Sequence, residues 1–202
     1  IVDNTVALST NGWASMLRVD GSITNTTYWN NTVTAGSYRR LWRVFVAGSL
    51  IASRVQSEWT VIVDGDVRDT LLEIVGFHNG CSAVDGCYGI NVGGTTLNST
   101  ITATNATAVQ HTFTTVMGVY LVGAVVRSRV MLTNVTLDLY TTHVCTAEVN
   151  GVSLGSGLHN SSSFVVRNSK FTVRAIIAGA CGNNQFVNAP HTFAIVSRAS
   201  IV

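Results

Sequence analysis

The sequence has few charged residues and few residues that interrupt β-structure. Proline occurs once, at Pro190, and lysine once, at Lys170, while charged residues make up only 11% of the chain, well under the usual quarter. The arginines are scattered without a cluster, so nucleic acid is not an expected partner. The longest apolar run, Val116 to Val126, has 11 residues, which is too short to cross a bilayer. We therefore expect no membrane span in this segment.

Motifs for catalysis or metal binding are also scarce. The five histidines never form a spaced pair, and the sequence has no Gly-x-Ser-x-Gly elbow, dinucleotide-binding turn or Walker loop. The best acidic cluster is Asp64, Asp66 and Asp69, which could supply paired carboxylates or a calcium loop. A turn after a buried strand explains the same residues more simply. We predict no catalytic residue, no metal site and no cofactor, and hence a protein that is not an enzyme.

What the chain does contain is a repeated phrase. Val44-Phe45-Val46-Ala47-Gly48, followed by Ser53-Arg54-Val55, aligns without a gap with Val119-Tyr120-Leu121-Val122-Gly123, followed by Ser128-Arg129-Val130. Looser copies begin at Leu17, Ile90, Val152 and Phe193. Steps of 27 to 46 residues between these starts are typical of proteins in which one supersecondary unit stacks on the next.

The apolar residues of the repeats alternate with polar ones, as in Val44 and Val46 or Ile101 and Ala103. This is the period of a β-strand with one buried face, whereas a helix would need apolar residues three and four positions apart. The 47% of hydrophobic residues, with abundant Val, Thr and Gly, suit a strand and turn architecture with a continuous core. The sequence therefore predicts an all-β stack of repeats.

Asparagine sequons recur in phase with the repeats. The six Asn-x-Ser/Thr sequons are Asn25, Asn30, Asn98, Asn105, Asn134 and Asn160. Three of them, at positions 25, 98 and 160, lie 8 residues after a repeat start, which predicts one exposed and glycosylated edge. A chance origin in an Asn- and Thr-rich chain remains an alternative.

A second phase holds Asn105, Asn134 and Asn168, 15 or 16 residues after a repeat start. The alternation places Asn105 and Asn134 on the inward side, so we predict an internal ladder of hydrogen-bonded amides at a bend between sheets. Because a buried side chain cannot carry a glycan, glycosylation is the less favoured interpretation for these two sequons. Asn25, Asn30, Asn98 and Asn160 are the favoured glycan sites.

The four cysteines suit an oxidising, extracellular environment, as the sequons do. Cys81 and Cys87 lie in the longest interval between repeat starts, where a local disulfide would brace a Gly-rich loop. Cys145 and Cys181 occupy nearly the same phase of adjacent repeats, and strand-spaced neighbours are at a suitable distance for a disulfide. We predict the pairs Cys81–Cys87 and Cys145–Cys181 in a secreted or cell-surface protein.

The phrase Gly118-Val119-Tyr120-Leu121-Val122-Gly123, followed by a serine, an alternating strand, an asparagine and a second strand, resembles the pectin-lyase-like right-handed parallel β-helix. More narrowly, it resembles the large β-helical surface glycoproteins of kinetoplastid protists of the dispersed gene family type. The resemblance covers residues 17–202 and implies a single β-solenoid domain, residues 1–202, of about six irregular coils. The Asn-Thr-Asp, Gly-His-Gly and Arg-x-Lys patterns of β-helical polysaccharide-cleaving enzymes are absent, so the resemblance does not extend to their activity.

The two ends of the chain are in matching phase, and neither resembles a cap. The start, Ile1 to Leu8, matches the segment Leu132 to Leu139 to within one residue, and the end, Arg198 to Val202, matches the segment that begins at Ser128. We therefore expect one copy to stack on the next, giving a rod or head-to-tail filament, or else one segment of a longer rod-like surface protein.

Two other functions remain open from the sequence. The intervals 64–89 and 140–151 could be binding loops of an adhesin or glycan-binding module. Aromatic residues in the first third of the chain, Trp13, Tyr28, Trp29, Trp42 and Trp59, could form a sugar platform, although a core role is favoured. The least favoured function is polysaccharide cleavage centred on Asp64, Asp66 and Asp69.

Overall fold

The structure, a computed structural model, describes residues 1, 5–8, 13–35, 40–57, 61–79, 87–112, 116–141, 148–175 and 191–197. Every regular element in these ranges is a β-strand. The strands are β1 (Thr5–Leu8), β2 (Trp13–Val19), β3 (Ile23–Thr24), β4 (Thr27–Tyr28), β5 (Thr32–Ala35), β6 (Arg40–Val46), β7 (Leu50–Ile51), β8 (Arg54–Ser57), β9 (Val61–Val63), β10 (Val67–Arg68), β11 (Leu71–Asn79), β12 (Cys87–Val92), β13 (Thr96–Leu97), β14 (Thr100–Thr112), β15 (Val116–Leu121), β16 (Val125–Val126), β17 (Arg129–Thr133), β18 (Thr136–Thr141), β19 (Glu148–Leu154), β20 (Leu158–His159), β21 (Ser163–Arg167), β22 (Lys170–Ala175) and β23 (His191–Ser197). The prediction of an all-β fold is confirmed.

Except for β1 and β5, which form a two-stranded sheet of their own, these strands form three long sheets, and all the described pairing is parallel. Sheet 1 has the order β2-β6-β9-β12-β15-β19-β23, and sheet 2 has the order β3-β7-β10-β13-β16-β20. Sheet 3 follows β4-β8-β11-β14-β17-β21, with β18 and β22 continuing it beyond a bend. Neighbours in each sheet come from successive repeats, so the chain adds one strand to each sheet in turn. This arrangement is consistent with a parallel β-solenoid.

The strand register locates the repeats. It adds one repeat that the sequence pattern missed and corrects one predicted start. In sheet 1 the paired positions are Leu17, Val44, Val61, Ile90, Val119, Val152 and Ile195. The sequence pattern missed the repeat that begins at Val61, and the last repeat aligns at Ile195 rather than Phe193. We number the repeats 1 to 7 by their strand in sheet 1, from β2 to β23. The missed repeat means that residues 64–79 are corners and regular strands, not part of one long loop.

The core is one continuous column of aliphatic side chains. In sheet 1, Val44, Val61, Ile90, Val119 and Val152 are fully buried at the same register position. Matching rows from the other two sheets complete a single cluster. Alternate residues of each strand therefore point into a shared interior, as the alternation in the sequence predicts.

A row of glycines lies at the first corner, which joins each strand of sheet 1 to the next strand of sheet 2. Backbone N–H groups of Gly48, Gly65 and Gly94 each donate to the carbonyl of the glycine one repeat earlier, at 3.0 Å. A Cβ added at Gly65 would lie 2.8 Å from the Gly48 backbone, closer than real contacts allow. Glycine is therefore required here because successive backbones touch.

At the beginning of the described chain, Ile1 bonds to the edge of sheet 3, and β1 belongs to a separate two-stranded sheet with β5. The Ile1 carbonyl accepts from the backbone N–H of Trp29 at 3.0 Å, and the Ile1 amino group donates to the Thr27 carbonyl at 3.0 Å. Strand β1 pairs in parallel with β5, with Thr5 opposite Thr32. Ile1 therefore aligns with Tyr28 and, through the register of sheet 3, with Val130. The predicted match of Ile1 with Leu132 is wrong, because it is displaced from this register by two residues.

The glycine row gives a testable prediction for Gly123→Ala. The added Cβ would meet only backbone, including the Gly94 carbonyl carbon at 2.5 Å and the Thr95 nitrogen at 2.9 Å. Overpacking against atoms that cannot rotate away should lower the free energy of unfolding by about 1–3 kcal/mol, measured by chemical denaturation. Gly21→Ala is the matched control, because no atom lies within 4 Å of its added Cβ. Equal effects of the two substitutions would contradict the close contact.

Candidate functional site: the corners between the sheets

The second corner joins sheet 2 to sheet 3 and turns through one left-handed residue per repeat, except in repeat 6, where Ser161 with φ of 61° follows Asn160. The other residues with positive φ at this corner are Asn25, Ala52, Asp69, Asn98, Arg127 and Asn160, with φ between 47° and 51°. Each directly follows a two-residue strand of sheet 2. Asn and Asp are the side-chain-bearing residues that accept this conformation most readily. The turn geometry therefore explains why asparagine recurs at one phase.

A column of hydroxyl groups follows these left-handed residues, and we name it the hydroxyl spine: Thr26, Ser53, Thr70, Ser99, Ser128 and Ser162. Each spine residue except the last donates its backbone N–H to the hydroxyl of the next repeat. The N–H to hydroxyl distances are 3.2 Å (Thr26 to Ser53), 3.2 Å (Ser53 to Thr70), 3.1 Å (Thr70 to Ser99), 3.0 Å (Ser99 to Ser128) and 3.1 Å (Ser128 to Ser162).

The spine hydroxyls also donate, which completes their hydrogen bonding. Ser53, Ser99 and Ser128 each donate to the carbonyl two residues earlier, at 2.7–2.8 Å. Their side chains are at most 6% exposed, so these groups could not turn to water for partners. Each buried hydroxyl provides an acceptor for one backbone N–H at the corner, and it donates to a carbonyl that also accepts a backbone N–H from the previous repeat.

The first corner carries a similar row in which the direction of donation is reversed. Ser22 Oγ accepts from the Ser49 N–H at 3.0 Å, and Ser49 Oγ accepts from the Asp66 N–H at 3.1 Å. Asp66 then occupies the acceptor position, and its Oδ1 accepts from the Thr95 N–H at 2.7 Å. At this position the carboxylate accepts the backbone N–H that a serine hydroxyl accepts in the two preceding repeats.

The surroundings of Asp66 stabilise its charged form. The backbone N–H of Thr95 is the largest influence that lowers the pKa of Asp66 below its usual 3.8, and desolvation partly offsets it. The Arg68 guanidinium lowers the pKa of Asp66 further in two ways. Its Nε donates a hydrogen bond to Asp66 Oδ2 at 3.1 Å, and its positive charge favours the carboxylate. Asp66 is therefore a charged hydrogen-bond acceptor with two kinds of donor.

The other two acids of the sequence cluster lie apart from Asp66 in the repeat. Asp64 is exposed at the first corner, and Asp69 is exposed at the second corner, beyond strand β10. The Asp69 carboxylate accepts from the Asn98 amide at 3.1 Å. The three residues thus occupy two different corners, and two of them have hydrogen-bond partners of their own.

The third corner follows the main strands of sheet 3 and holds the second group of asparagines. Asn105, Asn134 and Asn168 all have φ between 49° and 54°, and Asn134 Nδ2 donates to Asn105 Oδ1 at 3.0 Å. All three side chains are exposed. One amide contact of the predicted ladder is present, but the ladder lies on the surface, and its predicted internal position is wrong.

The asparagine side chains lie on the outer side rather than the predicted inner side for a local reason. A left-handed residue breaks the two-residue alternation of the strand, so the inward parity of Ala103 does not carry on to Asn105. Ala106, the next residue, is fully buried instead. In repeat 3, Gly76 takes the left-handed conformation near this bend, with φ of 87°.

All six sequon asparagines are exposed and have positive φ. Asn25, Asn98 and Asn160 lie at the second corner, in repeats 1, 4 and 6. None of them has another sequon at the same corner of the next repeat. Asn105 and Asn134 belong to adjacent repeats and are in contact through their amides. Exposure therefore does not separate the two groups, but spacing does.

Several predicted features lie partly or wholly outside the described residues. These are Cys81, Cys145 and Cys181, the side chain of Cys87, the middle of the interval 140–151, and the side chains of Trp13, Trp42 and Trp59. Of the aromatic group, Tyr28 is buried in the core. Trp29 lies 3.9 Å from the Arg54 guanidinium, which covers one face of its ring.

Two searches over the described ranges bear on the remaining predictions. No group of three or more His, Cys, Asp or Glu side chains there could hold a metal ion. Nor do those ranges contain a helix of the length and apolarity that a membrane crossing requires.

Sequence reasoning missed the hydroxyl spine, although its signal was present. Ser53 and Ser128 are part of the two copies that align without a gap, and both directly follow a left-handed residue. A hydroxyl residue after Asn25, Asp69 and Asn98 continues the pattern. Asparagine followed by Ser or Thr therefore suits the geometry of this corner, although Ala52, Asp69 and Arg127 also occupy the left-handed position.

The spine predicts a clear effect for Ser99→Ala. The substitution leaves the Thr70 N–H without an acceptor in a buried position, which should lower the free energy of unfolding by about 1–3 kcal/mol. Ser99→Thr is the control, because Thr70 shows that threonine fits the same column, and it should change the stability little. Chemical denaturation that gives equal losses for both variants would contradict the role of the hydroxyl.

Asp66 predicts a pH dependence that Asp66→Ser should reduce. Because the folded-state pKa is lowered, the carboxylate stabilises the fold above its unfolded pKa, and this contribution is lost as the pH falls through the folded pKa. Serine keeps an acceptor for Thr95, as Ser49 does for Asp66, but cannot titrate. Unfolding midpoints measured from neutral to acidic pH should fall more steeply for the wild type. Parallel pH profiles would show that Asp66 is not coupled to folding.

Comparison with known proteins provides no further guide to function. No protein-family model, curated protein or solved structure matches this chain. The resemblance to β-helical surface glycoproteins therefore remains a prediction from the sequence. What the protein does must be inferred from the arrangement of its repeats and corners.

Proposed function

We propose that this chain is an extracellular, glycosylated structural protein that forms a rod. In this proposal residues 1–202 are a single right-handed parallel β-helix. The rod continues beyond one unit, either as a head-to-tail filament of copies or as part of a longer surface protein like the β-helical surface glycoproteins that the sequence resembles. Its partners are other copies end to end and covalent N-glycans.

The observation that carries the proposal is the direction of the hydrogen bonds between repeats. In sheet 2 the Ile23 N–H donates to the Ser49 carbonyl at 2.8 Å, and the Leu50 N–H to the Asp66 carbonyl at 2.8 Å. The hydroxyl spine runs along the same axis. Since strands in a sheet are about 4.8 Å apart, each added repeat lengthens the stack by that amount. Such a stack resists bending because every layer is bonded to the next.

The open edges of the sheets favour continuation of the stack. Strand β3 pairs with β7 and has no second partner among the described residues, as is also true of β2 in sheet 1. An unpaired parallel edge is a template for another strand. A strand of the same repeat type, from another copy or from more of the same polypeptide, would fit this edge without a change of register.

The spacing of the second-corner sequons supports glycosylation there. Asn25, Asn98 and Asn160 are separated by at least one repeat that has no sequon at this corner, which is about 10 Å at two strand spacings. That leaves room for a sugar on each exposed asparagine. At the third corner, Asn134 Nδ2, the atom that a glycan would modify, donates to Asn105, so glycans on both of these residues are not expected.

Thr24→Pro tests the head-to-tail form of the proposal. The N–H groups of Ile23 and Asn25 donate to repeat 2, so alternation directs the Thr24 N–H toward the open edge. Proline removes that donor but none of these bonds, and edge strands tolerate it. We expect wild-type protein to elongate with concentration, seen by light scattering and negative-stain microscopy, and Thr24→Pro to stay short.

Thr24→Val is the matched control, because it keeps the N–H and should assemble like the wild type. Wild-type protein that stays monomeric at high concentration would rule out end-to-end assembly. Intact mass before and after deglycosylation, under non-reducing conditions, tests the glycans and disulfides on the same secreted material. A mass equal to that of the bare polypeptide would contradict the glycosylated form.

A further inference from the structure

The outer face of sheet 3 carries negative side chains on one side of strand β14 and positive side chains on the other. On one side, repeat 3 contributes Asp69 and Glu73, and on the other, repeat 5 contributes Arg127 and Arg129. Between them, β14 presents a strip of partly exposed threonines, Thr100, Thr102 and Thr104. The two acids and the two arginines are thus at equal distances, one repeat on either side of the strip.

These four charges are not neutralised by ion pairs within the described residues. Asp69 accepts from the Asn98 amide and Glu73 from the Gln56 amide, both at 3.1 Å, and both donors are uncharged. Arg127 and Arg129 have no carboxylate partner in the described part of the chain. The contrast is with Arg18 and Arg68, which pair with Asp20 and Asp66.

Arg127 is also held in an unfavourable conformation. Its φ of 47° places it in the left-handed region, where asparagine occupies the same corner in repeats 1, 4 and 6. A residue other than Gly, Asn or Asp is unfavourable in this region. Ala52 shares this conformation in repeat 2, so the turn tolerates other residues and does not by itself explain an arginine at this position.

The strand register shows what would fit this face. Leu71 pairs with Thr100, and Thr100 pairs with Arg129, so repeats 3 and 5 lie symmetrically about β14. Consider a twofold axis that runs along β14 in the plane of the outer face. It would place repeat 3 of one molecule opposite repeat 5 of another. Residues at one register position across the strands form a row, and each row would lie opposite the same row of the second molecule. Asp69 would then face Arg127 of the second copy, and by symmetry the contact would occur twice.

We propose that the outer face of sheet 3 binds the same face of a second copy, with the two stacks antiparallel. Two Asp69–Arg127 pairs flank the axis, and Glu73 lies one row from Arg129 of the other copy, a diagonal that long side chains span. The threonine strips meet on the axis, where short side chains let the sheets approach to about 10 Å.

Apolar side chains complete the contact between the charges. Leu71 and Val75 of repeat 3, and Met131 and Val165 of repeats 5 and 6, are only partly buried on this face. Pairing would cover them. A second copy also fits better than a polyanion, because half of the face would repel a polyanion, whereas self-pairing satisfies both signs.

This pairing is separate from the end-to-end continuation proposed above, since it uses a face rather than an edge and closes at two molecules. It also excludes a glycan at one site. Asn98 lies at the second corner of repeat 4, beside the axis, so a sugar on Asn98 would hold the copies apart. Pairing is therefore a property of molecules that are unmodified at Asn98.

The test uses protein made in a host that does not attach N-glycans, examined by sedimentation velocity over a range of concentrations. We expect a monomer–dimer equilibrium that weakens with salt. Arg127→Asp should raise the dimer Kd about tenfold, because Asp69 would then face an aspartate. The double variant Asp69→Arg with Arg127→Asp restores opposite charges and should return the Kd to near the wild-type value.

Arg18→Asp changes the net charge equally but lies on sheet 1, so it should leave the dimer Kd unchanged. Thermal unfolding of each variant checks that it is folded. A monomer at every concentration, a dimer insensitive to Arg127→Asp, or a double variant as weak as Arg127→Asp would each overturn the proposal. Growth beyond two molecules that stops with Thr24→Pro would assign the association to the sheet edges instead.

Discussion

The close approach of successive repeats is the constraint on which the rest of this structure depends. At about 4.8 Å, the layers leave no space for a side chain where the backbones cross at the first corner, which is why glycines stack there. The same spacing lets the Ser53 N–H reach the Thr70 hydroxyl at 3.2 Å. The glycines, the left-handed asparagines and the hydroxyl spine are thus three features of the corners that the close spacing of successive repeats requires.

This requirement also separates what the sequence could predict from what it could not. The alternation of Val44 and Val46 predicts a buried strand face, and the register confirms it. The repeat at Val61 was missed because it begins only 17 residues after Val44 and because its Asp64-Gly65-Asp66 segment resembles an acidic cluster. Asp66 takes the place of a serine in a hydrogen-bonded row, and only the register of the neighbouring repeats reveals that.

Asn105 shows a second limit of pattern reading. Alternation holds only while the backbone stays extended, and a single left-handed residue shifts it by one position. Asn105 and Asn134 therefore point to the surface, although their places in the pattern match inward positions. The same left-handed requirement accounts for much of the recurrence of asparagine, so sequons in this chain reflect turn geometry as well as any glycosylation.

The proposed functions use different parts of the stack. Sheet edges would continue the rod and spaced corners would carry glycans. In molecules unmodified at Asn98, the opposite charges on sheet 3 would join two rods side by side. All of them depend on each repeat being bonded to its neighbours along one axis. In the proposed function, this arrangement would let the chain set distances outside the cell.

Amide hydrogen exchange at the hydroxyl spine tests this account most directly. Backbone N–H groups of Ser53, Thr70, Ser99 and Ser128 lie outside the strands, yet each donates to a hydroxyl of the next repeat. We predict that they exchange as slowly as the paired amides of sheet 1, since exposing them requires separating two repeats. Exchange at the rate of unprotected loop amides would contradict the stacked arrangement.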